Sequence, residues 1–158
     1  MPTQRKSKSK STTRKRATTQ QDITRIRGRI DHVDRELHAL LNERARLARA
    51  VGISNSRAGK LVDFYRPERE AEVLRLVLER NAAARSQGAL RDEEVVRLFR
   101  EIMSACLAQE EPLKVGFLGP EGTFSQTAVY KHFGHSVRAL PLASIDEVFH
   151  EVEAGNAD

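Results

Sequence analysis

The sequence predicts a mainly α protein, a three-helix domain followed by an incomplete α/β segment. From Asp22 to Val51 the apolar residues Ile23, Ile26, Ile30, Val33, Leu37, Leu40, Leu41, Leu47, Ala48 and Val51 recur at steps of three and four, the period of one helical face. Two further stretches, opening at Pro67 and Asp92, keep that period. Past Pro112 it gives way to short apolar runs parted by glycine-bearing turns, in the order strand, helix, strand, helix.

The first helix is interrupted only by Gly28, and Gly52 follows its last apolar position as a C-terminal stop. Thirty helical residues reach about 45 Å. A chain of 158 residues folding back once does not cover so long a stripe, so this helix demands a partner. Residues 54–62 read as a loop. Pro67 suits the first turn of the second helix, and Glu68 and Glu70 in that turn favour its dipole. Val73, Leu74, Val77 and Leu78 carry it to the neighbourhood of Ala84, before a turn at Ser86, Gln87 and Gly88. The third helix runs from Asp92 to Gln109, with Val95, Val96, Leu98, Phe99, Ile102, Met103, Cys106 and Leu107 on its apolar side, and Pro112 ends it.

Lys114 to Leu118 reads as a strand and Gly119 to Gly122 as a tight turn. Thr123 or Ser125 caps a helix ending near Phe133. Val137 to Leu142 is a second strand, and Ser144 caps a helix reaching Ala154. Two strands and two helices cannot close a core. Residues 112–158 are therefore expected to be the opening of a domain whose remainder lies outside this sequence.

Charge is unevenly spread. Residues 1–21 hold seven cations and no acid, leaving 20 of the 27 basic residues against 22 acidic ones elsewhere. The basic balance belongs to this tail and marks no basic face on the folded part. Rich in Lys, Arg, Ser, Thr and Gln, the tail is expected to be disordered, because it buries too little surface to offset chain entropy. It reads as an arm for nucleic acid or another polyanion, as a solvated tail, or as the product of a start codon assigned too far upstream. The lack of interleaved aromatics to stack on bases weighs against nucleic acid. A single cysteine, Cys106, excludes an intrachain disulfide and suits a reducing cytoplasm. No apolar run reaches the length of a membrane span, and the tail lacks the apolar core of a secretory signal.

The five histidines lack Cys or acid partners at ligand spacing, and the His132–His135 pair reads as incidental. No Ser-His-Asp pattern and no phosphate-binding glycine loop occurs, so neither metal nor cofactor is expected. What stands out is cationic: Arg27 and Arg44 on the first helix, Arg66 and Arg69 flanking Pro67. An arginine fork grips a carboxylate with two hydrogen bonds, so converging arginines suit a dicarboxylate ligand. The alternative is that they cover solvated helix faces.

Longer patterns bear on that choice. Ile26-Arg27-x-x-Ile30-x-x-x-Asp34-x-x-Leu37-x-x-Leu40-Leu41-x-x-Arg44 resembles the first helix of the all-helical chorismate mutases. Tyr65-Arg66-Pro67-Glu68-Arg69-Glu70 with Val73-Leu74 resembles the start of their second helix, and Leu98-Phe99-x-x-Ile102-Met103 their third. Gly119-Pro-Glu-Gly-Thr-Phe-Ser125 is similar to the opening motif of prephenate dehydratase. The helical motifs are loose and the last is specific. Their order, over residues 22–158, is that of the bifunctional chorismate mutase–prephenate dehydratases of phenylalanine biosynthesis.

The resemblance implies a mutase domain at 22–111 in an intertwined homodimer of three-helix chains, and the start of a dehydratase domain at 112–158. It implies conversion of chorismate to prephenate, with Arg44 serving its own subunit's site and Arg27 the neighbour's. Seventeen residues turn a helix by about 260°, so the two arginines point to different sides. Arg69 and the adjacent Glu70 match the second-helix pair, Glu70 contacting the substrate hydroxyl. Such a pericyclic reaction needs no nucleophile, only a folded substrate and stabilised charge on the ether oxygen.

Three positions depart from the family. Asn55 stands where relatives place a lysine eleven residues after Arg44; it donates a hydrogen bond but carries no charge. Lys60 lies sixteen residues after Arg44, about 160° out of phase. Glu110 stands where many relatives have Gln facing the ether oxygen, and it donates there only when protonated. Its alternative reading is a solvated helix-end acid. Arg66 replaces an Asp found in some relatives. Cys106 occupies a position that can be Ser and reads as a small buried residue beside the substrate. Thr123, Phe124 and Ser125 are implied at the prephenate cleft, besides serving as a capping turn. The catalytic Thr-Arg-Phe motif and the phenylalanine-binding domain of the dehydratases lie beyond what this sequence contains. Two rival readings are a catalytically impaired dimerising fragment and a polyanion-binding protein acting through its tail.

Overall fold

The structure, a computed structural model, describes residues 8–57, 65–88, 90–109 and 112–158, with side chains from residue 20 onward except at 55–57 and 87. The elements follow as helix α1 (Lys8–Arg57), α2 (Pro67–Ala84), a short 3-10 turn (Arg85–Gln87), α3 (Asp92–Leu107), strand β1 (Lys114–Leu118), α4 (Phe124–Phe133), β2 (Arg138–Leu142) and α5 (Ile145–Glu153). Two compact units divide the chain after Asn42.

Helix α1 is longer than expected at both ends. It begins at Lys8, so residues 8–21 are helical where the basic tail was expected to lack order. Between Lys8 and Asp22 there is no Gly or Pro, and Lys, Arg, Ala and Gln are good helix formers. At the other end the helix passes through Gly52 and stops at Arg57. A lone glycine costs a helix only about 1 kcal/mol, and Gly52 is buried, so packing overrides the stop signal. The rest of the expected 54–62 loop, and Lys60 with it, lies outside the described residues. In the first unit Ile26, Ile30, Val33, Leu37 and Leu40 are all about half exposed or more. The stripe is real, and among the described residues it stays exposed.

The second unit holds the remainder. Pro67 opens α2 with Glu68 and Glu70 in the first turn, and Gly88 closes the following turn with φ of 81°. That left-handed conformation favours glycine. Asn81 ties the α2–α3 connection, its Nδ2 donating to the Leu90 carbonyl at 2.9 Å and to Asp92 Oδ1 at 2.7 Å. Arg85 pairs with the other oxygen of Asp92. The Asn81 hydrogen bond holds Asp92 below its ordinary carboxylate range against desolvation, and Arg85 adds to the lowering. Helix α3 ends at Leu107, two residues short of Gln109.

Strands β1 and β2 pair in parallel, Lys114 opposite Arg138 through to Leu118 opposite Leu142. Thr123 caps α4 and Ser144 caps α5, each accepting from the backbone N–H three residues on. Leu113, Val115, Phe117 and Val129 form the buried core here, and Tyr65 and Leu107 of the helical part pack against it. The core that two strands and two helices leave open is thus partly closed by residues before α2 and at the end of α3. On α5, Ile145, Phe149 and Val152 remain exposed.

Helix α4 is docked on α3. Glu101 accepts from the His135 backbone N–H at 3.1 Å and meets its Nδ1 at 2.6 Å. The His135 ring stacks on Tyr130. Burial raises the Glu101 carboxyl, but the two His135 hydrogen bonds prevail and hold it below its ordinary range. Ser104 Oγ accepts from the Ser136 N–H at 3.3 Å.

Candidate active site

Within the second unit a cavity of about 430 Å³ lies among α1, α2, α3 and the start of the α/β segment. Its polar wall gathers Arg44, Arg66, Arg69, Glu70 and Arg100; its apolar wall includes Ala48, Val51, Val73, Met103, Leu107 and the buried Cys106. Helical period explains the convergence. Arg44, Ala48 and Val51 follow at steps of four and three on α1, and Glu70 and Val73 three apart on α2. On α3, Arg100, Met103 and Leu107 repeat the pattern.

Of the residues singled out by sequence, Arg44, Arg69, Glu70 and Cys106 therefore come together, with Arg66 beside them. Arg27 is not among the lining residues. Asn55 belongs to the described helix, but its side chain lies outside the described residues, as does Glu110 altogether. Arg69 donates from a terminal guanidinium nitrogen to Glu72 Oε2 at 2.5 Å on its own helix. Thr123, Phe124 and Ser125 stand apart from this cavity, at the turn leaving the C-terminal end of β1. Thr123 Oγ1 donates to the Pro120 carbonyl at 3.0 Å, the Gly122 N–H donates to Gln126 Oε1 at 2.7 Å, and Phe124 is 94% exposed. That edge, outside the carboxyl ends of parallel strands, is where open α/β sheets take their ligands.

Two groups on the cavity wall escaped sequence reading. Arg100 Nε lies 3.4 Å from Glu70 Oε1, both side chains more than two-thirds buried. Its signal was a cation set within the Val96, Met103, Leu107 stripe of α3. Tyr65 entered only as part of a motif; it lines the same cavity as Glu70. Burial pushes its phenol up, the Glu70 charge adds, and Arg100 pulls the other way. The second omission is a whole wall: Leu113, Phe133 and Val137 of the α/β segment line the same space.

The site offers cations for carboxylates, a carboxylate acceptor and an apolar wall. Among the described residues no group of His, Cys, Asp and Glu is set to hold a metal ion, and no helix is long and apolar enough to cross a membrane.

Comparison with known proteins agrees with this geometry. The chorismate mutase type II family profile matches residues 26–111, and that of prephenate dehydratase matches residues 115–158. Among curated proteins, the bifunctional chorismate mutase/prephenate dehydratase of Pseudomonas aeruginosa is 52% identical over 139 residues, covering 86% of this chain and 37% of that protein. The protein of the same description from Stutzerimonas stutzeri is 55% identical over 134 residues, 82% of this chain and 35% of its own length. That from Aquifex aeolicus is 39% identical over 138 residues, 87% and 37% respectively. The chain thus spans little more than a third of these relatives. No solved structure matches significantly. With the match running from Ile26 to the end of the helical part, the chain belongs to the chorismate mutase type II family.

Proposed function

We infer that the chain rearranges chorismate to prephenate, and that residues 112–158 open a prephenate dehydratase domain acting on that product. The observation that carries this is the convergence of Arg44, Arg69 and Glu70 with the buried Cys106 on one cavity. Chorismate is a dicarboxylate, and guanidinium forks match both of its charged ends. Holding them together folds the substrate so that the bond-forming carbons meet, the orientational part of the barrier. Glu70 accepts from the substrate hydroxyl. Charge growing on the ether oxygen is met by donors at Asn55 and by Glu110 in its protonated form.

The working unit is a homodimer built on α1. Its support is the exposed stripe from Ile26 to Leu40, large apolar side chains recurring along one helical face rather than scattered singly. In that dimer Arg27 reaches the partner's cavity. Thr123, Phe124 and Ser125 take prephenate at the edge of β1. The site works without metal or cofactor in the cytoplasm, and the basic N-terminal stretch takes no part in the chemistry.

The test is chorismate disappearance on the purified 158-residue chain, with Asn55→Lys assayed beside it. Turnover by either supports the reading. Silence of both, in folded dimeric protein, overturns it.

A further inference from the structure

The polar wall of the cavity contains a chain of contacts that leaves it on the far side. Tyr65 feels the charge of Glu70, Glu70 faces Arg100, and Arg100 donates from a terminal nitrogen to the Lys131 carbonyl of α4 at 3.4 Å. Arg100 is thus shared between a residue of the mutase site and the last turn of the first dehydratase helix. A guanidinium suits that place: planar, permanently charged and able to donate in two directions at once. An ammonium on a shorter reach supplies the charge but not both contacts. Because Arg100 and Glu70 are largely shielded from water, their interaction is screened less than that of a surface pair.

We propose that Arg100 is a positioning residue for the mutase reaction, holding the Glu70 carboxylate toward the substrate hydroxyl and tying that hold to the docked α/β segment. This rests on the mutase reading and names how one of its groups is set. Neighbouring geometry agrees. Phe133 and Val137 wall the same cavity, and the Glu101–His135 contact pins α4 one turn away. The segment that begins the second domain is therefore also part of the first domain's site.

The experiment is a double-mutant cycle in the 158-residue chain, with chorismate turnover measured for Arg100→Met, Glu70→Gln and the pair, and Arg100→Lys as the conservative variant. If Arg100 acts through Glu70, Arg100→Met lowers kcat/KM at least about fivefold in the parent and less than about twofold when Glu70 is already Gln. Arg100→Lys recovers part of the loss. Equal losses in both backgrounds overturn the positioning role, because Arg100 would then act on the substrate or on stability alone. A second measurement does not depend on turnover. In a Tyr130→Phe background, leaving Tyr65 as the sole tyrosine of two, Arg100→Met must shift the phenol titration further upward. An unmoved titration overturns the contact chain. An inactive parent chain overturns the mutase reading and this inference with it, whereas an active parent with additive losses overturns the inference alone.

Discussion

Gly134 stands so close to Ser104 that a Cβ built on it would lie 2.6 Å from the Ser104 Cβ and 2.8 Å from its Oγ. This is where the end of α4 meets α3, and the glycine is buried with φ of 81° and ψ of 178°. Only glycine enters that backbone region cheaply. Gly134→Ala therefore carries both a conformational and a steric cost, together about 2–4 kcal/mol. Ser104→Gly removes the obstructing side chain but not the positive φ. The double variant should regain part of the loss in urea unfolding, and no recovery would mean that the contact is not the tight one described.

Asp92 gives a pH prediction. Its folded pKa lies below its ordinary value of 3.8, chiefly through the Asn81 hydrogen bond. A group with a depressed folded pKa contributes stability that is complete above the unfolded value and is lost as pH falls through the folded one. The window is therefore acidic, below the ordinary carboxylate value. Asp92→Asn should lower stability at neutral pH and flatten its fall in that window. An unchanged acid limb in thermal melts would assign the fall to other carboxylates.

These two sites also show what sequence can disclose. Pro67, Ser144 and Thr123 announce their helices because first-turn and capping chemistry is local, and the observed starts agree. The upstream start of α1 was illegible because propensity without apolar period is a weak signal, and Gly52 misled because burial outweighs its cost. Arg44, Arg69 and Glu70 were legible through motif spacing. Arg100 was not, because its meaning comes from Glu70, thirty positions earlier, and Lys131, thirty-one later. The wall formed by Phe133 and Val137 was hidden for the same reason: docking between distant segments leaves no local period.

The exposed stripe of α1 leads to an association prediction. Leu37 and Leu40 are 51% and 61% exposed in the single chain. Since each is already partly buried, burying the rest against a second copy would contribute about half of the roughly 1.5–3 kcal/mol of a fully buried side chain. In the proposed homodimer, Leu37→Glu with Leu40→Glu reverses that and brings like charges together. If the proposed dimer forms and Arg27 serves its partner's cavity, sedimentation should move from dimer to monomer and mutase activity should fall in step. A monomeric variant of full activity would refute the shared site.

Glu110 predicts the shape of the pH profile. In its proposed role it would donate to the ether oxygen only as the neutral acid, since the ionised carboxylate has no proton to give and repels the developing charge. Mutase kcat should fall as pH rises past neutrality, and Glu110→Gln should remove the fall by supplying an amide donor at every pH. A parent profile flat from acid to mildly alkaline pH would exclude Glu110 from this role.

Asn55 is the position where charge is missing. Helix α1 continues to Arg57, so the backbone at 55 lies on the face that Arg44 presents, eleven residues or about three turns earlier. If position 55 faces the substrate as proposed, a lysine there would set an ammonium near the ether oxygen, where a well-placed donor is worth about 100-fold in rate. Part of that is already supplied by the neutral amide, so Asn55→Lys should raise kcat by roughly tenfold, with a smaller change in KM. Asn55→Ala should lower it. If lysine and alanine both leave kcat unchanged, the side chain at 55 does not face the reacting oxygen. The rate would then rest on Arg44, Arg69 and Glu70 alone.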